Sequence, residues 1–423
     1  MIPIRRIWKS PEVRNGLLFM IAMLVVFRLA AHVPVPGVDR AVIEGIAGGN
    51  QLFGLLNLFS GGTFENFSVV ALGVGPYITA SIIFQLLGMI VPKMEEMQKE
   101  EQGRARINRW TRALTVPLAF LQGYSLILLF GSQASGQAVF TDGSLFTMLL
   151  AMASMTAGTI FLMWLGELIS ERQMGNGISI LIFAGITAGL PSYLSQAFSV
   201  FDRSQILTIL LFALLVVVTI ATIVVMNEAV RKIPVQYARQ IRGSRLAGAV
   251  ASFLPLKLNL GGVIPIIFAI SIILFPTTLA QFFVNATTPA VREAAQWVVR
   301  MFQDQNVYGA VFFVMVFLFT FFYASVIFHP DRVAENLQKQ GGFIPGIRPG
   351  EPTAQYLGWV SNRLLLVGAT FLSLIAVLPT LVQQVSGNAS LVIGGTSVLI
   401  VVSVVIDTVK QIEAQLTMRE YEM

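Results

Sequence analysis

Residues 51–91 read QLFGLLNLFSGGTFENFSVVALGVGPYITASIIFQLLGMIV. Two apolar pieces of unequal length lie in this stretch. Residues 67–91 form a run of 25 residues without a charge, and a helix needs about 20 apolar residues to cross a bilayer. Residues 52–59 are only eight. As a helix they would rise about 12 Å, well short of a hydrocarbon core of about 30 Å. Ser60, Gly61 and Gly62 break regular structure between the pieces. A short apolar helix, a glycine break and a full span describe a segment that enters the membrane part-way and turns back. Irregular backbone at that depth survives only where protein buries it or a watery cavity receives it. The stretch therefore predicts a cavity with a short helix in it. A helix lying flat on the outer surface is the alternative.

The rest of the composition agrees with a membrane setting. The 423 residues are 55% hydrophobic and 12% charged, against roughly 25% charged in soluble proteins. Mean hydropathy is +0.75. The expected fold class is an all-α polytopic membrane protein. Cysteine is absent, which excludes disulfides, thiolate nucleophiles and cysteine metal sites. The two histidines, His32 and His329, stand far apart near span ends and read as interface residues.

Residues 1–15 carry Arg5, Arg6, Lys9 and Arg14 ahead of an apolar run. Such a head resembles a signal peptide, but the spans that follow make a first transmembrane helix the better reading. Expected spans are 16–33, 67–91, 113–130, 147–166, 178–198, 206–226, 263–284, 307–328, 364–382 and 391–406, ten in all. Cytoplasmic loops keep the positive charges. With the N-terminus inside, 23 of the 28 Lys and Arg fall on inside segments. Arg28, Arg40, Arg203, Arg292 and Arg300 fall outside or at the outer boundary. Both termini are accordingly expected in the cytoplasm.

Two cytoplasmic loops, residues 227–262 and 329–363, are long for simple connections. The first holds Arg242 and Arg245, and the second the turn IPGIRPG at 344–350 with Arg348. Their charge alone fits contact with anionic lipid; the length and the Pro/Gly-shaped tip point to docking of a partner. An internal echo also links LNLFSGG at 56–62 with LKLNLGG at 256–262. Five spans separate these positions, and an odd number places the halves in opposite orientations, as in inverted-repeat transporters.

No catalytic constellation is legible. No GxxxxGK[ST] loop cradles a phosphate, and no cofactor is expected. The span centres hold no Asp, Glu, Lys or Arg; Glu167, Asp407 and Lys410 only close spans. Ion and proton relays need ionisable groups inside the membrane, so a coupled pump fits poorly. Thr79, Gln85, Gln122 and Ser271 are the scattered polar residues, and helix–helix hydrogen bonding accounts for them.

Several motifs are long enough to carry a resemblance. They are SGG at 60–62, ALGVGPYITASIIFQLL at 71–87, FLMWLGE at 161–167 and GNGISILIFAGI at 175–186. PLKLNLGGVIPIIFAISIILFP at 255–276, FIPGIRPGEPT at 343–353 and GGTSVLIVVSVVID at 394–407 complete the set. In this order, from about residue 14 to residue 407, the chain resembles the SecY family, pore subunits of bacterial protein-translocation channels. The resemblance implies two inverted five-helix halves, residues 1–200 and 201–423, around an hourglass pore. It implies a passive, non-enzymatic channel in the bacterial cytoplasmic (inner) membrane. Unfolded secretory polypeptides pass across, and hydrophobic segments leave laterally into lipid. Implied partners are the small subunits SecE and SecG, the SecA motor, the ribosome, signal peptides and nascent chains. A secondary transporter with a broken helix at its centre is the alternative; it would need a midplane substrate site and coupling-ion ligands.

Residue roles follow from the same resemblance. Residues 51–66 match the plug, with Leu52, Phe53, Leu55, Leu56, Phe59, Gly61 and Gly62. Val74, Ile78, Ile178, Ile182, Ile267 and Ile400 match an aliphatic ring at the waist of the pore, Val74 standing where Ile is usual. An aliphatic ring offers ions no hydrogen bonds and dewets when narrow. The pairs 74/78 and 178/182 are each i, i+4 and share a helix face. Read without the resemblance, these six are ordinary core. Thr79, Gln122 and Ser271 match polar positions of a lateral gate, where each contact is worth about 0.6–2 kcal/mol. Arg242, Arg245 and Arg348 match the surface that receives ribosome or motor, although Gly243 and Ser244 separate a usually paired arginine doublet.

Overall fold

The structure, a computed structural model, describes residues 10–38, 67–133, 144–199, 206–237, 252–284, 286–386 and 395–420. The plug segment and the arginines Arg242 and Arg245 lie outside the described residues.

Helix α1 covers Pro11–Ala30, and Pro11 at its first turn suits a position with no intrahelical N–H partner. After α1 the chain pairs with the segment that leads into the next helix. Val35 N–H donates to the Phe67 carbonyl at 3.0 Å, and Val69 N–H to that of Val33 at 2.9 Å. The described residues on either side of 39–66 therefore lie side by side.

Helix α2 covers Gly75–Ile90, shorter than the expected span of 67–91. Residues 67–74 are turns, because Phe67 (φ 40°) and Gly73 (φ 57°) have left-handed backbone and Pro76 sits in the first turn of the helix. Hydropathy counts apolar residues and is blind to these breaks. At Val91 the chain bends by 113° into α3, Pro92–Lys99. Helix α4, Glu101–Gln133, then takes up most of the polar stretch after residue 92 before it enters the apolar run. Helices α5 (Leu145–Glu171), α6 (Gly177–Ser199) and α7 (Ile206–Glu228) follow.

The second half begins with strands β1, Val230–Tyr237, and β2, Ser252–Lys257. Helices α8 (Ile264–Phe283), α9 (Pro289–Gln303) and α10 (Gln305–Ile327) come next. Then follow α11 (Pro330–Lys339), β3 (Gly342–Phe343), α12 (Glu351–Ser386) and α13 (Gly395–Glu420). Each of the ten expected spans falls on a helix. Among the described residues six helices are long and apolar enough to cross a membrane, and the bent pair α2–α3 makes a seventh. Helices α6 and α7 offer shorter apolar stretches, Gly177–Gly189 and Ala213–Glu228, while α13 runs on past Asp407 and Lys410 into polar turns.

The all-helical expectation misses one element. Strands β2, β1 and β3 form a small antiparallel sheet that ties the two long loops together, with Arg231 opposite Leu256 and Gln236 opposite Phe343. Its own apolar cluster joins Ile233, Val235, Leu256, Leu337, Ile344 and Leu357. The described parts of the loops thus form a platform.

Packing divides the long helices into two groups. Helices α2, α4, α5 and α6 pack in chain order, with α1 against α5 and α6. Helices α8, α10, α12 and α13 pack in the same way, with α7 against α13 and α12. The groups touch along two seams. At the first, α8 meets α2 and α4; at the second, α13 meets α6 and α1.

Candidate functional site

Five of the six expected ring residues belong to one buried cluster at the centre of the molecule. Val74, Ile78, Ile182, Ile267 and Ile400 come from the start of α2 and from α6, α8 and α13, and each is 6% exposed or less. Ile178 stands at the margin of the cluster, half-buried. It lies over Gly166 of α5, where a Cβ would come within 2.6 Å of its Cδ1. Gly177 sits on the Gly166 carbonyl in the same place, so α5 and α6 approach with no side chain between them. Ile178 packs against that contact.

The three expected gate residues, Thr79 of α2, Gln122 of α4 and Ser271 of α8, line a single cavity of about 70 Å³ at the first seam. Ser125, Thr277, Thr278 and Gln281 add polar groups to its wall, and Leu72, Leu126, Leu129 and Leu274 add apolar ones. The three gate residues are not joined across the seam as expected. Thr79 Oγ1 donates to Gly75 carbonyl of its own helix at 3.1 Å. Ser271 Oγ is buried with no partner among the described residues.

The bond that does cross the seam is one sequence reasoning missed. Ser125 Oγ donates to the Thr278 carbonyl at 2.7 Å. The rings of Tyr124 and Phe282 add a contact at 5.1 Å between the same two helices. Helix α8 is weakened beside this bond. Pro276 has no N–H to give its own helix. Around it Thr277 Oγ1 donates to the Leu274 carbonyl at 2.7 Å and Thr278 Oγ1 to that of Phe275 at 2.8 Å. The proline deprives the Ile272 carbonyl of its helix donor, the threonine hydroxyls share carbonyls next to it, and such places let a helix bend. Pro276 was visible in the sequence; the partner of Ser125 was not, because a carbonyl belongs to every residue.

On the platform, Arg348 is exposed at a turn held from beneath by buried Ile344. Gly346 (φ 83°) and Gly350 (φ 96°) supply the left-handed backbone that the turn requires. Thr353 Oγ1 closes it on the Arg348 carbonyl at 2.8 Å. Beside the turn on α11, Lys339 donates to Glu335 at 2.7 Å and holds that carboxyl below the usual range. The other side of the platform is pinned by Asn227. Its Nδ2 donates to Ser403 Oγ at 2.7 Å, and its Oδ1 accepts from Asn259 Nδ2 at 2.8 Å. Lys410 and Glu228 pair nearby at 2.7 Å. Asn259 is the asparagine of the LKLNLGG echo, and its visible work is to join α7, α8 and α13.

An aliphatic cluster drawn from both groups of helices, with a polar-walled cavity at one seam, is the arrangement to compare. The SecY family profile matches residues 68–409. A protein translocase subunit SecY from Streptomyces coelicolor is 44% identical over 436 residues, covering 99% of this chain and 98% of that one. The chain belongs to the SecY family. Solved structures share the fold. A SecY whose plug domain is described as stabilising the closed state of the translocation channel aligns with a TM-score of 0.64 at 19% identity, over 94% of this chain and 91% of that chain. Sec61 in a canine ribosome–channel complex aligns with a TM-score of 0.61 at 16% identity, over 94% and 91%. Membership of the SecY family supports a polytopic translocase subunit and gives no support to the transporter alternative.

Proposed function

We propose that this SecY-family chain is the pore of a passive protein-conducting channel in a bacterial inner membrane, with both termini in the cytoplasm. Unfolded secretory polypeptides cross it, and hydrophobic segments leave through the seam of α2 and α4 against α8. The observation that carries the reading is the central cluster. Val74, Ile78, Ile182, Ile267 and Ile400 meet there from both groups of helices and bring no charge or hydrogen-bonding group. Such a ring blocks ions when shut and deforms around any passing sequence. Residues 51–66 act as the plug; Val35 and Phe67, on either side of the stretch that contains them, are paired. The proposed halves, 1–200 and 201–423, move against each other as the seam parts.

Energy comes from partners. The platform offers exposed Arg348 to a ribosome or the SecA motor, and Arg242 and Arg245, outside the described residues, would serve the same docking by their charge. Cationic tips attract rRNA phosphates and acidic protein surfaces alike. SecE and SecG complete the unit from the lipid side.

A photocrosslinking residue at Ile182 tests the pore directly. A secretory chain stalled part-way through export is expected to crosslink there at successive positions. Crosslinks confined to probes on the lipid-facing side of α6, with none at Ile182, would make the ring ordinary core and remove the basis of the reading.

A further inference from the structure

Helix α9 fits none of the roles above. It sits where α8 ends and α10 begins and packs against both. At about 100° per residue its side chains fall into three stripes. Ala295, Val298 and Phe302 face the protein; Ala295 is buried, Val298 half-buried, and Phe302 packs on the central cluster. Arg292, Glu293, Gln296 and Arg300 form a polar stripe, with Arg300 Nη2 donating to Gln296 Oε1 at 3.4 Å. Between these lies a third stripe at i, i+4, i+7 and i+11: Ala290, Ala294, Trp297 and Met301. This stripe is apolar; Ala290, Ala294 and Trp297 are exposed, Trp297 at 65%, and Met301 is half-buried.

A helix in water needs two faces, one buried and one polar. The third, apolar and uncovered, needs a third medium. The site of α9 supplies one. Its neighbours α8 and α10 are apolar spans that expose Phe283, Val314 and Leu318 to the surroundings. Because α9 follows the end of α8 and precedes the start of α10, its exposed stripe lies at the ends of two apolar spans, where hydrocarbon would give way to headgroups. Tryptophan concentrates at this boundary. The polar stripe carries two arginines against one glutamate, which complements lipid phosphate.

We infer that α9 is an interfacial anchor whose Trp297 stripe is seated in the acyl boundary of the bilayer, with Arg292 and Arg300 on phospholipid phosphates. Such helices embed their apolar face about 5–10 Å into the boundary. Since α9 packs on α8, the anchor ties one end of the seam helix to the lipid surface. The orientation proposed above makes this the outer leaflet, but the seating itself rests only on the stripes.

The chain has no cysteine, so single probes can be placed cleanly. The complex would be purified with Trp297→Cys or, separately, Glu293→Cys, labelled with a small fluorophore and reconstituted in phosphatidylcholine–phosphatidylglycerol vesicles. The expected result is quenching at position 297 by lipids brominated near the headgroup end of their chains, severalfold stronger than at 293. Aqueous iodide should show the reverse order. Equal iodide access at both positions would place α9 in water and overturn the inference. Protection of position 297 from both quenchers would mean that a protein covers the stripe, and would overturn it equally. Ala290→Cys lies on the same stripe and gives the same readout if loss of Trp297 impairs folding. None of these outcomes depends on polypeptide transport.

Discussion

The two seams between the helix groups are built differently. At the second, Met174 of the turn between α5 and α6 is buried with Val13 of α1 and Ile412 of α13, and Leu17, Met20 and Leu416 pack around them. Gly16 leaves the space that the Met174 side chain fills. Gln415 Nε2 adds a hydrogen bond to the Gln173 carbonyl at 2.9 Å. At the first seam α8 touches α2 and α4 around a cavity of about 70 Å³. The buried Ser271 hydroxyl there has no partner among the described residues, and the seam helix carries Pro276 in its interior. A joint filled by side chains resists parting, whereas a joint with a void and a weakened helix loses little when it opens. In the proposed channel the contrast fits the second seam as a hinge and the first as a door.

The largest test addresses the hinge. Met174→Ala should cost about 2–5 kcal/mol of stability, as buried Met→Ala changes do. Thermal unfolding of the purified complex would read this as a clear fall in Tm. A fall no larger than that of a substitution at the first seam would erase the distinction between the two.

Replacing Thr79, Gln122 and Ser271 together by Leu should act on the door. The added carbons overfill the closed cavity, at about 1–3 kcal/mol for overpacking. In the open seam the same side chains meet lipid and are welcome. Both terms favour opening and outweigh what the closed state gains from losing the Ser271 hydroxyl, so export of proteins with weakly hydrophobic signal sequences should rise. Unchanged export would mean that the cavity is not part of the moving surface. Ser271→Ala works in the opposite direction. It removes a buried hydroxyl without a partner, a group that costs about 1–3 kcal/mol in soluble cores and less where lipid is the alternative. The closed state gains, and weak signal sequences should be exported more slowly.

How much of this contrast the sequence carried depends on the kind of signal. Apolar runs located every long helix, and the i, i+4 spacing of Val74 and Ile78 placed them on one face. The resemblance put Thr79, Gln122 and Ser271 at one seam, and they line one cavity. Three things stayed hidden. Pairing of Gln236 with Phe343 joins residues far apart in the chain, and neither strand alternates clearly enough to announce a sheet. Helix α9 mixes Ala, Val, Arg and Glu in a stretch that hydropathy averages to nothing; only its angular pattern separates the stripes. The start of α2 depends on backbone angles at Phe67 and Gly73, which no count of apolar residues contains.

The smallest expected effect isolates a polar bond that crosses the door. Ser125 Oγ reaches the Thr278 carbonyl at 2.7 Å, and Ser125→Ala deletes the donor while leaving nearly the same volume. Interhelical hydrogen bonds in membranes average about 0.6 kcal/mol, so the closed state should weaken by that order, roughly threefold in the open–closed ratio. Global stability should hardly move, because the acceptor is a backbone carbonyl that can still bond within α8. The measurable outcome is a modest gain in export of the weakest signal sequences with Tm unchanged. In combination with Ser271→Ala the two changes should largely cancel in export, since one loosens and the other tightens the same seam. A double variant that exports like Ser125→Ala alone would show that Ser271 faces packing which does not move, and that the door lies along Ser125 and Thr278 only.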